Sequence, residues 1–510
     1  MKSQVNMYMI VVGVFLLLIS GSFLSEGISS AGLDNAVVSQ RMALGNEDFW
    51  LPTLQVSATP DRMNYLPLGY WLESRWFRLI GSHSFMAEKI YSVLNYLIIA
   101  VLVVWIWCMA GNTRRTGWMP LLCLVAIPLV TKSATNNLLE STMTIFVLLA
   151  VAFLMKGRNL SFKAVARKAA GKRAGRYRLG RASWTVLAAL MMELAFMVKG
   201  VMGLFPVFFP MLYWTCMRRE NVGKPIMATL LILVTWSATL FVVISISKNV
   251  YLHLYDYLHH QLIGGVLHVR TVSSRFYILY SLLLQMIIPV AMIALLALLR
   301  MRRRSVFKYL AFWRWKNTLT ADEFRNSQMS LFFALFGLVG VLPIMIGFKQ
   351  QSFYLVPVLP FFALSAGCMI HNLTSDLLET PSRVSETVAS VLSVVTVTIG
   401  ILLNVGSIHK VNSHQTLFGD MSRILPILGW GETVSVSTEV NEYPDMAKYF
   451  YRYKEIVFDT ALTHRYMITM YSTNVTNSGD TDYVPVALGT TQFKLYEKIT
   501  SANETDTIGD

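Results

Sequence analysis

Charge is what this chain has least of. Only 14% of its 510 residues are Asp, Glu, Lys or Arg, against roughly 25% in a soluble domain. That scarcity excludes an ordinary string of water-soluble domains. Acidic residues are the scarcer kind: 29 Asp and Glu stand against 44 Lys and Arg, a formal net charge of +15. Cysteine is nearly missing too. Cys108, Cys123, Cys216 and Cys368 all lie within or at the ends of apolar blocks. None has zinc-ligand spacing in a hydrophilic segment, which excludes metal fingers and a disulfide framework; small apolar packing is the role left to them. There is no internal repeat and no long low-complexity linker. What fills the chain is hydrophobic, 54% of it, with a mean hydropathy of +0.50. Length alone would suggest about three globular domains. The apolar residues instead gather in blocks long enough to cross a bilayer, and the chain reads as a polytopic membrane protein.

The blocks run over 7–24, 86–110, 117–132, 141–155, 184–199, 201–217, 225–247, 276–299, 329–347, 353–370 and 386–406. They predict an all-α membrane part of about 11 transmembrane helices, each near the length that a ~30 Å hydrocarbon core needs. The first block follows Lys2 and ends in a poor cleavage sequence, so it reads as a retained span rather than a signal peptide.

Lys and Arg then set the orientation. Segment 156–181 carries ten of them, from Lys156 to Arg181, and no acid. Further clusters are Arg114-Arg115, Arg218-Arg219 with Lys224, and Arg300 to Arg304 through Lys308 and Lys316. Alternate threading puts all of these on the side of Lys2, which the positive-inside rule makes cytoplasmic. A basic run could be a nucleic-acid patch. As a membrane loop beside anionic lipid it needs no nucleic acid, and none is expected as a partner.

The outer side receives segments 25–85, 248–275 and 407–510. The last is hydrophilic, and alternation such as Glu432-Thr-Val-Ser-Val-Ser-Thr and Tyr483-Val-Pro-Val-Ala-Leu predicts a small C-terminal α/β domain. The division expected is a membrane domain over 1–406, with a first outer loop over 25–85, and an appended domain over 407–510.

Within the first loop Leu33, Ala36, Val37 and Leu44 fall at helical spacing, which predicts an amphipathic helix lying on the outer membrane surface. Asp34 stands at its beginning. It reads either as a helix cap or as a carboxylate held at the outer bilayer boundary, where a lipid-borne headgroup would arrive. Asn64-Tyr-Leu-Pro-Leu-Gly-Tyr-Trp is a bend followed by aromatics, suited to interfacial anchoring or to a cavity wall. Glu140, at the outer end of its span, is either solvated or turned into a cavity. Glu193 and Lys199 lie six residues apart in one apolar block, and ionisable groups at that depth default to a functional hypothesis; snorkelling is the plainer account of Lys199. His253, His259, His260 and His268 share one loop with Arg270 and Arg275. No spacing motif supports a divalent metal there, so metal and cofactor stay open. A guanidinium phosphate clamp is better motivated for Arg270 or Arg275, and Lys349 is a further outward cation.

The stretches Gly32-Leu-Asp-Asn-Ala-Val-Val-Ser-Gln-Arg-Met, Leu66-Pro-Leu-Gly-Tyr-Trp-Leu, Asn136-Asn-Leu-Leu-Glu-Ser-Thr-Met, Val198-Lys-Gly and Lys349-Gln-Gln-Ser-Phe-Tyr-Leu-Val-Pro-Val-Leu-Pro resemble, in that order, the GT-C superfamily of polyprenyl-phosphate-sugar-dependent transferases. The branch includes bacterial aminoarabinose transferases and protein O-mannosyltransferases, and the likeness covers about 1–410. It implies a bacterial inner-membrane enzyme with a cytoplasmic N-terminus and a periplasmic C-terminal domain. Its donor would be a sugar on undecaprenyl phosphate, and its acceptor a hydroxyl of lipid A, protein or glycan. By the same resemblance Asp34 looks like the catalytic carboxylate. Glu140, Lys199, Arg270, Arg275, Lys349, Tyr65 and Tyr70 look like substrate contacts. The chain departs from the family in two places: Asn35 replaces a second acid, and Tyr65-Leu66-Pro67 replaces a Glu-Lys-Pro or a pair of prolines. Two rival readings remain, a transporter or lipid-linked-sugar flippase, and a non-catalytic assembly subunit.

Overall fold

A run of apolar residues with no charge to solvate can bury its backbone polar groups only by bonding them to one another, which in lipid means a helix. The computed structural model follows that rule. Among the described residues, seven helices are long and apolar enough to cross a membrane: Met86–Met109, Leu139–Asn159, Gly180–Met217, Gly223–Ile246, Tyr277–Arg300, Ala321–Ile346 and Glu386–Val405. Two shorter apolar helices are Val5–Ile19 and Leu359–Thr374. The structure describes every residue except 1, 55, 58–60, 63–64, 82–85, 170–174, 219, 302–319, 380–382, 409, 412–414, 442, 473–482 and 500–510. The basic cluster beyond Arg300 and part of that in 156–181 therefore lie outside the described residues.

At two places the apolar blocks are not single unbroken helices. Blocks 184–199 and 201–217 are parted by a reversal at Gly200, which opens a 3-10 segment, Gly200–Phe208, ahead of the helix Phe209–Met217; the chain doubles back there, and Arg181 before the first block lies 3.0 Å from Glu220 after the second. Block 117–132 is split into Trp118–Val125 and Pro128–Ser133, since Pro128 cannot donate the bond that would continue a helix. Together the two pieces still lead from Arg114, whose carbonyl accepts from Tyr8 OH, to Thr135, which donates to Ser22.

Contacts divide the chain into two units. The first holds Met1–Phe23, Asn64–Gly69 and Ile90–Ser407. In it Leu139–Asn159 is mostly buried, whereas Gly223–Ile246 and Tyr277–Arg300 expose nearly all of their apolar side chains, as lipid-facing helices do. Rings from three segments interlock at the centre: Phe336 lies 4.8 Å from Phe361 and 5.2 Å from Phe205, centroid to centroid. The helices Lys2–Ile19 and Arg383–Val405 approach so closely that a Cβ on Gly13 would collide with Thr396, and one on Gly400 with Leu16.

The second unit holds Leu24–Met63, Tyr70–Lys89 and Ile408–Asp510. Most of the first outer loop, Asn64–Gly69 apart, thus groups with the C-terminal segment. The unit is mixed α/β. Strands β1 (Thr53–Leu54) and β2 (Asp61–Arg62) form a small antiparallel pair. Strands β3 (Thr433–Val436), β4 (Val457–Asp459), β5 (Tyr466–Met470), β6 (Tyr483–Pro485) and β7 (Phe493–Lys498) form a sheet in the order β4-β3-β5-β7-β6. β3 runs parallel to β4 and β5, and β7 antiparallel to β5 and β6. Helices Ser30–Leu44 and Pro444–Lys454 pack together in its core.

That packing corrects the reading of 30–44 as a helix lying on the membrane surface. Leu33, Ala36 and Val37 enter the core as expected, yet Ser39, Gln40 and Arg41 are buried as well. Each has a partner: Ser39 donates to Glu73 at 2.7 Å, Arg41 to Tyr451 at 3.1 Å, and Arg452 donates to Gln40 at 3.2 Å. Arg452 also pairs with Glu88 at 2.8 Å, both side chains 1% exposed. The polar face looks into protein, because Glu73 of the first loop and Tyr451 and Arg452 of the C-terminal segment supply matched groups that no local spacing could reveal.

Candidate functional site

In the membrane unit the site begins at the Lys199-Gly200 step. Gly200 has φ +82°, and a Cβ there would overlap the Tyr257 hydroxyl. Only glycine combines that conformation with that space. The Tyr257 oxygen accepts a hydrogen bond from Val201 N at 3.0 Å, and burial pushes its hydroxyl up to about 12. The turn aims Lys199 at Glu140. Nζ lies 2.5 Å from Oε1, with the side chains 8% and 0% exposed. The contact is a charge pair, for neither Glu140 oxygen has hydrogen-bond geometry with a described donor. Three rings surround the same ammonium, Tyr65, Phe353 and Tyr354, with centroids at 4.9, 5.3 and 5.7 Å. Their negative faces add to the carboxylate in holding a cation away from water. Tyr65 is itself fixed, its carbonyl 3.0 Å from His253 Nε2. A carbonyl only accepts, so the proton is on Nε2. Burial lowers the His253 pKa and favours that neutral form.

Beside Lys199 opens a cavity of about 130 Å³ whose walls are mainly apolar, with Tyr65, Tyr257 and Tyr354 among the polar groups and Lys349 as a second ammonium. Lys349 donates to Gln261 at 2.7 Å. The adjoining loop brings two more cations. Arg270 and Arg275, both exposed, place their guanidinium carbons 5.1 and 5.0 Å from the Phe348 ring centroid. Gln350, 1% exposed, laces this loop down: it accepts from Ile278 N at 3.0 Å and donates to the Arg275 and Gly347 carbonyls, each at 2.9 Å. Thr271 completes the lacing, bonding to the Phe348 and Gln350 backbones. Lys199 and Lys349 thus share the cavity, and Arg270 and Arg275 meet at the residue next to Lys349. Such a set of cations at an apolar recess suits a phosphate that carries a hydrocarbon chain.

Asp34 belongs to the second unit. Its helix is capped by Ser29, whose side chain accepts from Gly32 N, so Asp34 sits past the first turn and the cap reading is corrected. Its partner is Lys448, with Nζ 2.7 Å from Oδ1. Burial raises the Asp34 carboxyl above its ordinary range, Lys448 opposes that, and nearby Asp445 adds to it. The side chain keeps 29% of its surface exposed.

Other expected residues fall elsewhere. Tyr70 is fully buried within the second unit and does not line the Lys199 cavity. Glu193 does not pair with Lys199; it is buried, and its oxygens meet no described donor. His259 stacks on Tyr255, and His260 Nδ1 lies 3.2 Å from the Asp256 carbonyl. Among the described residues no three His, Cys, Asp or Glu side chains converge where a metal ion could be held. Sequence reasoning missed Tyr257, Gln350, Thr271 and Lys448. A lysine at the far end of the chain carries no local signal, whereas Gln350 lies inside a stretch already singled out.

Taken unit by unit, the helices and the sheet of the second unit build a fold with solved counterparts. The chain is similar to ArnT from Cupriavidus metallidurans in its crystal structure bound to undecaprenyl phosphate, with a TM-score of 0.61 at 14% identity over 97% of this chain and 98% of that one. It is equally similar to ArnT in the apo state, with a TM-score of 0.61 at 14% identity over 96% and 97%. At that identity the likeness is one of fold. No protein-family model matches the sequence, and none of the curated proteins does.

Proposed function

We propose that this chain is an integral-membrane glycosyltransferase of the GT-C type. It transfers a sugar from undecaprenyl phosphate, or another polyprenyl phosphate, to a hydroxyl of lipid A, protein or glycan on the periplasmic face of a bacterial inner membrane. The observation that carries the reading is the collection of Lys199, Lys349, Arg270 and Arg275 at and beside one largely apolar cavity. The ArnT neighbour, crystallised with undecaprenyl phosphate, supports the same class of donor.

The chemistry is a single displacement. The acceptor oxygen bonds to the anomeric carbon, the bond from that carbon to the phosphate oxygen breaks, and the lipid phosphate leaves with the electron pair. The acceptor proton passes to Asp34, acting as general base. Arg270, Arg275 and Lys349 stabilise the charge that grows on the departing phosphate. Lys199, already paired with Glu140, shapes the cavity wall and its potential. Tyr65, whose ring faces the Lys199 ammonium, forms part of the same wall.

The test is to reconstitute the protein in nanodiscs with a panel of undecaprenyl-phosphate sugars and membrane acceptors, and to follow donor consumption by mass spectrometry. Glycosylated acceptor and free undecaprenyl phosphate in equal amounts are expected. Intact donor moved across a vesicle bilayer without consumption would establish the transporter instead.

A further inference from the structure

The side chain paired with Asp34 comes from the C-terminal segment, which the proposed reaction leaves without a part. We propose that Lys448 is the positioning residue of Asp34, so that the C-terminal domain supplies a working component of the transferase site. The inference rests on Asp34 being the base.

The ammonium of Lys448 is 9% exposed as a side chain and meets three oxygens. It lies 2.7 Å from Asp34 Oδ1, 3.2 Å from Asp445 Oδ1 and 3.2 Å from Ser30 Oγ. Ser30 in turn donates to Asp445 at 2.6 Å. The Lys448 ammonium donates hydrogen bonds to Ser30 and Asp445, and its contact with Asp34 is a charge pair. The helix that carries it, Pro444–Lys454, is staked to the segment that carries Asp34. Tyr449 OH accepts from Ile28 N and donates to Ile28 O, both at 3.1 Å. One turn further on, Tyr451 accepts from Arg41 and Arg452 donates to Gln40. Lys448 therefore approaches Asp34 from a fixed backbone, and Asp34 presents a defined orientation to whatever reaches its exposed edge.

The cluster also sets the charge of the base. Burial favours a neutral carboxyl, and the charged groups facing Asp34 pull in opposite directions: Lys448 towards ionisation, Asp445 away from it. Ser30, on its own helix, is uncharged. A base must be ionised to accept a proton, so Lys448 extends the active range downward in pH and Asp445 limits that extension. Asp34 and Asp445 thus share one ammonium.

The opposed signs give a test that a merely structural lysine fails. In full-length protein in nanodiscs, Lys448→Met moves the acid limb of kcat/KM upward by about one to three pH units. Transfer on that limb drops about tenfold or more, with donor KM unchanged. Asp445→Asn moves the limb the other way, and Lys448→Arg keeps it near the wild-type position. An isotope-edited infrared titration of the Asp34 carboxyl, assigned by difference against Asp34→Asn, must move in step. Should Lys448→Met fold poorly, the Asp445→Asn and Lys448→Arg pair decides alone. An unmoved limb and an unmoved infrared titration in these variants overturn the proposal. Wild-type protein that transfers no sugar from the panel, but whose infrared titration still responds to Lys448→Met, overturns the transferase reading and leaves the coupling standing.

Discussion

The buried pair of Glu140 and Lys199 makes a prediction whose sign depends on details of its surroundings. The partners are 2.5 Å apart and are 0% and 8% exposed, so removing either leaves a charge in a place that water does not reach. Breaking such a pair typically costs about 3–5 kcal/mol. The two halves are not equivalent here. With Glu140→Gln the ammonium still faces three rings at 4.9, 5.3 and 5.7 Å, each worth about 0.5–1 kcal/mol, and the net loss falls to about 1–3 kcal/mol. With Lys199→Met no described cation remains beside the carboxylate, so the full ~3–5 kcal/mol applies. The double variant removes both charges and should lose no more than ~2 kcal/mol, because a neutral packed pair often substitutes for a buried ionic one at little cost. The assay is unfolding of the purified chain in mild detergent, followed by tryptophan fluorescence across a denaturant series. The order expected is Lys199→Met least stable, then Glu140→Gln, with the double variant restored towards wild type. Equal losses, or a double variant no better than Lys199→Met, would refute the aromatic cage as the source of the asymmetry.

Further predictions follow from single contacts. Gly200→Ala combines a positive φ with a clash on Tyr257 and should cost about 2–5 kcal/mol. Tyr257→Phe gives no rescue, since ring carbons also crowd that position; thermal unfolding checks both. Gln350→Ala leaves the Ile278 amide and two carbonyls short of a partner, at about 1–3 kcal/mol. Hydrogen exchange should then rise over 264–278, with weaker undecaprenyl phosphate binding although every cation remains. Arg270→Ala with Arg275→Ala should weaken that binding about tenfold or more, and raising salt should lower wild-type affinity more steeply than the variant's, read by calorimetry. Asp34 carries a pH signature. Its folded pKa lies above the ordinary carboxylate value, so the stability it contributes is present below that ordinary value and is lost as pH rises through the folded one. Asp34→Asn escapes the loss and should unfold no earlier than wild type at neutral pH, a result that thermal melts can contradict.

Much of this was legible in the sequence. Long apolar blocks report helices directly, and the alternation in 432–438 and 483–488 reported a sheet, since both signals are local. Lys199, Lys349, Arg270 and Arg275 were visible as cations on or beside apolar segments, and the structure places them at or beside one cavity. What stayed hidden depends on chain closure. The burial of Gln40 and Arg41 involves Arg452 and Tyr451, some four hundred residues away, so the helix 30–44 read as amphipathic and superficial. The partner of Lys199 is Glu140 rather than Glu193 because packing between helices, and not spacing within one, decides which carboxylate meets a buried lysine. Pro128 breaks one apolar block and Gly200 reverses the chain between two others, features that hydropathy alone averages away.

The central claim is that Asp34 takes the acceptor's proton during transfer from a polyprenyl-phosphate sugar. The direct measurement is single-turnover donor consumption by wild type and Asp34→Asn in nanodiscs, with folding confirmed by matched thermal melts. Loss of a positioned general base removes about 10²–10⁴-fold in rate. The account predicts a loss in that range with donor binding retained. Equal turnover by the two proteins would contradict it.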